Sequence, residues 1–292
     1  MTKKRTSAVL GSCIAMTTLL VLTAPLVAEQ PADFQRMIDL TQNQALLAEK
    51  MSKEFVLVAL EVDPEKNREN LQSSRAMFER TLKGLRDGDA ALGLPGSRNQ
   101  NYLDSLSDAG ELWLVYDATV RTGFESGRIT ADQVGTVADL TAPISDAMEK
   151  AVAVLERNSS EGQLVSMLDI TKELARRQCL LTQKMSREFL LIAYGHEVEK
   201  NRSGLKKSID QFNRTLEGLL RGNAELRLVP APSAEIRSQL RKLAQIWDAV
   251  LPILTTAVKG GKINREIIAQ MASTNEPLLE AASAAHLLYN SL

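Results

Sequence analysis

The chain repeats itself. Residues 46–59, LLAEKMSKEFVLVA, match residues 180–193, LLTQKMSREFLLIA, at a shift of 134 positions, and the register holds without a gap. EKNR at 65–68 recurs at 199–202, FERTLKGLRDG at 78–88 recurs as FNRTLEGLLRG at 212–222, Trp113 pairs with Trp247, and Pro143 with Pro277. About half of the first fifty paired positions are identical. A duplication of this extent limits the fold more than any other feature, because each copy must bury its core with the same pattern. At 292 residues the chain has room for two modest cores, one per copy.

Each copy reads as four helices. Aromatic residues are only 4%, and Leu, Ala, Glu, Lys and Arg dominate, which favours helix over sheet. In helix 1, Leu47, Met51, Phe55 and Val58 share one face, with Lys50, Lys53 and Glu54 elsewhere on the circumference; Leu181, Met185, Phe189 and Ile192 repeat the stripe. The first copy's helix 1 is expected to stop near Asp63-Pro64, with Asp63 capping helix 2, and the second copy's at Gly195. Helix 2 carries Leu71, Phe78, Leu82 and Leu85, mirrored by Leu205, Phe212, Leu216 and Leu219, and ends at Gly88 or Gly222. A Gly/Pro loop follows at 93–96 and 230–232. Helix 3 holds the tryptophans and breaks at Gly127 or Gly260-Gly261. Helix 4 opens on Thr130 with Gln133 in capping-box spacing, or on Asn264, and contains Pro143 or Pro277, where a kink is expected. The fold class is all-α: two tandem four-helix up-down-up-down bundles. The joint falls at 158–162, short enough for helix 4 to run nearly continuously into the second copy.

The N-terminus has the order of a secretory signal: Lys3, Lys4 and Arg5, an apolar stretch at 8–27 broken by Gly11, Thr17, Thr18 and Pro25, then Ala28. The expected layout is a signal peptide at 1–28, one bundle at 29–158 and a second at 159–292, exported to the periplasm. Losing the three leader cations takes the formal charge from −1 to −4, which gives nucleic acid nothing to attract it. The mature chain would keep one cysteine, Cys179, so no internal disulfide can form, and a lone thiol here reads as a small buried hydrophobe.

Catalytic signatures are missing: no G-x-S-x-G, Walker loop, dinucleotide fingerprint or credible Cys/His pair. Neither His196 nor His286 has Glu three residues before it, as di-iron bundles require, and no haem-attachment motif occurs. His196, following a helix-stopping glycine, reads as an exposed loop histidine. No enzyme activity, metal or cofactor is expected.

The stretch at 174–193, LARRQCLLTQKMSREFLLIA, is followed by an amphipathic helix, a Trp-bearing helix and a Pro-bearing helix. It resembles the periplasmic sensor module of PilJ-type type IV pilus methyl-accepting transducers, related to the sensor region of NarX-type nitrate and nitrite kinases. The resemblance spans about 35–157 and 168–292. It implies a signal-receiving four-helix bundle, which in the nitrate sensors binds the anion between paired first helices through an arginine. Arg177 and Gln178 match the start of that motif, and Gln183, Lys184 and Met185 its end, while the anion-binding arginine falls on Cys179. In copy one that place is Ala45, and Gln42 and Asn43 replace Arg176 and Arg177. The family's own anion contact is therefore missing from both copies. The flanking membrane helices and transmitter usual in the family are not read here, so the tandem module is expected to act by binding.

Three expectations follow. A small polar or anionic ligand would meet Arg176, Arg177, Gln178, Gln183 and Lys184, with Arg177 and Lys184 seven residues apart on one face; the plainer reading of these cations is a solvated helix face. The rival is a docking module for a membrane receptor or envelope protein, with no small ligand. The third is that the two bundles pack as a pseudo-dimer, imitating within one chain the paired first helices of dimeric sensors. Homo-oligomers are compatible with each.

Overall fold

The computed structural model describes residues 31–159 and 166–292. The signal peptide expected at 1–28, and residues 160–162 of the expected joint, lie outside the described residues. The described residues form eight α-helices: α1 (Pro31–Ala59), α2 (Pro64–Asp87), α3 (Gln100–Glu125), α4 (Ala131–Ser159), α5 (Met167–Tyr194), α6 (Val198–Arg221), α7 (Ala234–Val258) and α8 (Arg265–Asn290). No strand occurs among them, only isolated bridges at Asp89–Leu94 and Asn223–Leu228, equivalent positions in the loop after the second helix of each copy. None of these helices is long and apolar enough to cross a membrane.

Within each copy every helix packs on its neighbours in sequence and the first packs on the fourth, giving two up-down-up-down bundles. The stops fall where the glycines predict: Gly88 and Gly222 end α2 and α6, and Gly195 ends α5 with φ 91°. Thr130 and Gln133 exchange their capping-box bonds at α4, and Asn264 accepts from the Ile267 N–H at α8. Asp63 behaves differently from expectation. It sits at the start of α2 in a left-handed conformation and makes no side-chain cap bond. The corner is held instead by Asn67, whose amide donates to the Val62 and Asp63 carbonyls, as Asn201 does to His196 and Glu197. This accounts for the asparagine of the recurring EKNR. α4 is described to Ser159, and α5 opens on its own capping box, Ser166 with Asp169, so the second copy's first helix has a start of its own; the residues between them lie outside the described residues. Pro143 and Pro277 lie inside α4 and α8 as expected.

The repeat builds the same core twice. Phe78 packs against Trp113 in a tilted arrangement with ring centroids 4.5 Å apart, and Phe212 against Trp247 likewise at 4.3 Å. The copies do not stand apart, however. One apolar cluster runs from Met51 and Phe55 of the first copy to Met185 and Phe189 of the second, and α1 packs along α5. The pseudo-dimer expectation therefore describes the chain, and the first helices of the two copies are paired. Phe212→Ala is expected to cost about 3–5 kcal/mol in urea denaturation, whereas truncating the exposed Leu287 to Ala should stay within about 0.5 kcal/mol.

Candidate functional site

Pairing α1 with α5 covers a face of each that an isolated bundle would leave in water. Glu49, Lys53, Gln183 and Arg187 are all buried there. Burying charge demands partners at close range. Arg187 Nε donates to Glu49 Oε2 at 2.5 Å, an ion pair between the copies with both side chains under a tenth exposed. Asn275 of α8 supplies the other link: its Oδ1 accepts from Lys53 Nζ at 2.8 Å and from Gln183 Nε2 at 3.1 Å, and its Nδ2 donates to the Thr182 carbonyl at 3.0 Å. The repeat explains this arrangement. Lys53 is the counterpart of Arg187, and Glu49 of Gln183, so one pseudo-twofold contact is an ion pair and its mate is amide-bridged.

Carboxylates flank the seam on the inner side. Glu54 is buried and meets Lys50 at 3.7 Å, and its burial holds its pKa above the usual carboxylate range. Its counterpart Glu188 accepts from Ser208 Oγ at 2.9 Å and lies flat on Gly204, where a Cβ would come within 2.6 Å of its Oε1. Burial lifts Glu188 to about 7, against the opposing fields of Arg187 and Lys184, and lowers Lys53 to about 8. Several enclosed polar atoms have no hydrogen-bond partner among the described residues: Gln183 Oε1, Ser186 Oγ one turn beyond it, Ser52 Oγ one turn beyond Glu49, and both amide atoms of Gln178. Native interiors hold few such atoms, and each costs about 1–3 kcal/mol.

The five residues expected to form the site are thus distributed. Arg176 is buried, not solvated: Nε donates to Glu173 at 2.7 Å and Nη2 to Glu149 of α4 at 2.9 Å. Arg177 is half exposed and donates to the same Glu173 at 2.6 Å. Burial acts to raise Glu173, but the two arginines outweigh it and hold that carboxyl below its ordinary range. Gln183 belongs to the seam. Lys184 is partly buried, with its field on Glu188. The structure therefore brings Arg176 and Arg177 together on Glu149 and Glu173, while the field of Lys184 falls on a different carboxylate, Glu188. Cys179, at the place of the nitrate sensors' arginine, is buried and accepts from Ser283 Oγ at 3.7 Å, with its pKa raised by burial. Ala45 is buried in the first copy's core.

Sequence reasoning missed Glu49, Lys53, Arg187, Glu188 and Asn275. One signal was available, since Lys-Glu at 53–54 returns as Arg-Glu at 187–188 inside the best-matched part of the repeat. His196 is also placed differently from expectation. Its side chain is 19% exposed, and the ring lies against Gly135 of α4.

Two outcomes are expected. Arg187→Met strands the Glu49 carboxylate and should cost about 3–5 kcal/mol, most of which Glu49→Leu in the same chain should restore; denaturant midpoints measure both. Glu188 has a folded pKa above its unfolded one, so it holds its proton longer in the folded chain, and stability falls as pH rises from about 4.5 to about 7. Glu188→Gln should therefore add on the order of 1–3 kcal/mol at pH 8 and nothing near pH 4.5; a pH-independent difference would contradict this.

No curated protein matches the chain. The family described as "Type IV pili methyl-accepting chemotaxis transducer N-term" matches residues 28–140 and again 173–278, one match in each copy and together most of the chain. The chain belongs to this PilJ family, as two tandem copies of its module.

Proposed function

We propose that the chain is a non-enzymatic periplasmic sensory protein, with a leader at 1–28 and modules at 29–158 and 159–292, that receives a small polar or anionic ligand along α5. The residues offered are Arg176, Arg177, Gln178, Gln183 and Lys184, and the seam partners Glu49, Lys53 and Asn275 report the binding to the first copy. The observation that carries this reading is the polar seam between the paired first helices, where Gln183 Oε1 and the Ser52 and Ser186 hydroxyls are enclosed without partners. Membership in a transducer family supports it. The arginines already sit among carboxylates, Glu149 and Glu173 with Glu156 close by, so a ligand would bind by exchanging with Glu173 or Glu149 for guanidinium bonds. Isothermal titration against a panel of small anions and metabolites is expected to show binding that Arg177→Ala weakens. Absence of binding, or identical affinity in that variant, would refute the reading.

A second reading has its own observation. Leu114 and Val115 of α3 are exposed at 70% and 53%, in a groove of about 500 Å³ with Ala118 and Thr122 beside α4. The second copy has Asp248 and Ala249 at those places, so this apolar surface is peculiar to the first. It fits docking to a membrane receptor or envelope protein. Cross-linked pull-down should lose its partner in Leu114→Asp; the same envelope protein captured by both chains would refute docking here.

A further inference from the structure

Where the first copy's α4 meets the corner between α5 and α6, three side chains of metal-ligating type converge. Asp139, His196 and Glu197 present one donor atom each, all within 4.8 Å of one another. His196 Nε2 lies 3.9 Å from Glu197 Oε2, is enclosed, and has no hydrogen-bond partner among the described residues. An enclosed imidazole nitrogen without a partner is costly for structure alone, and it is the donor that first-row metals prefer.

The repeat shows that the cluster is no by-product of the shared fold. At the equivalent of His196 the first copy has Val62, a core residue, and at the equivalent of Asp139 the second copy has Ser273. Gly135, against which the imidazole rests, is replaced in the second copy by Ala269. A Cβ at Gly135 would come within 3.3 Å of His196 Cε1, so this glycine gives the ring its place. Ligand, ligand and seat thus depart together from the other copy. The cluster already attracts a cation: Lys200 Nζ bonds to Glu197 and lies 3.6 Å from Asp139. Its side chain is largely exposed, and an exposed ion pair of this kind is readily exchanged.

We propose that Asp139, His196 and Glu197 form a site for a divalent first-row transition metal, zinc being the best match, which ties the first copy's α4 to the α5–α6 corner of the second. Two carboxylates and a neutral imidazole balance a divalent charge, and the single nitrogen donor favours zinc over magnesium or calcium, which take oxygen sets. Water completes the coordination, as the open side of Asp139 allows. Lys200 swings out when the metal enters.

The test is zinc titration of the tag-free, chelator-stripped full chain by calorimetry, with thermal unfolding in parallel. One zinc per chain is expected, with a raised Tm. His196→Gln and Asp139→Asn should each weaken binding about tenfold or more, and Lys200→Gln, which removes the competing ammonium, should tighten it. Asp139 is exposed, so its substitution leaves the core intact. No binding of zinc, or binding that neither His196→Gln nor Asp139→Asn changes, would overturn the proposal.

Discussion

The packing of α1 on α5 is the contact on which the rest of the molecule depends. Four amphipathic helices can close a bundle on their own, and each copy does so around its Phe–Trp pair. What joins the copies is a strip of charged and amide groups removed from water: Glu49 with Arg187, and Lys53 with Gln183 through Asn275. Such groups add little net stability compared with apolar replacements, but they are unforgiving of register, since a slip of one turn leaves a buried charge alone. The seam is therefore better suited to defining one arrangement of the two bundles than to strengthening it.

The duplication, the helix count, the glycine stops and the capping box at Thr130 were all legible, because each is a local property of consecutive residues. The burial of Lys53, Arg176 and Arg187 was not. A helical wheel of α1 or α5 alone places these residues off the apolar stripe, and nothing in that wheel says that a second bundle covers the other side. Charges that look solvated in one copy become interior when the copies pack. His196 departs from expectation for the same reason: the turn after Gly195 is a surface of its own bundle, but α4 of the other lies against it. At Asp63 the failure was different, since a good capping residue stood in the right place and the corner was stabilised by Asn67 instead.

The structure also shows how the copies have parted. At paired positions the second has Arg187, Gln183 and Cys179 where the first has Lys53, Glu49 and Ala45. In a symmetric dimer of one module, each of these contacts would occur twice with identical residues. Fusing two modules in one chain lets a glutamate on one side meet an arginine on the other while the mirrored contact becomes an amide bridge. The Gln183 carbonyl and the equivalent Ser52 and Ser186 hydroxyls, all enclosed without partners among the described residues, lie on the same two helices.

Both bundles form one body, side by side along α1 and α5. Small-angle X-ray scattering of the chain from residue 29 onward tests it most directly. A radius of gyration of about 18–20 Å, as for a single compact unit of this length, is the result this account predicts. Bundles about 39 Å long set end to end would give about 24 Å or more, and that result would contradict it.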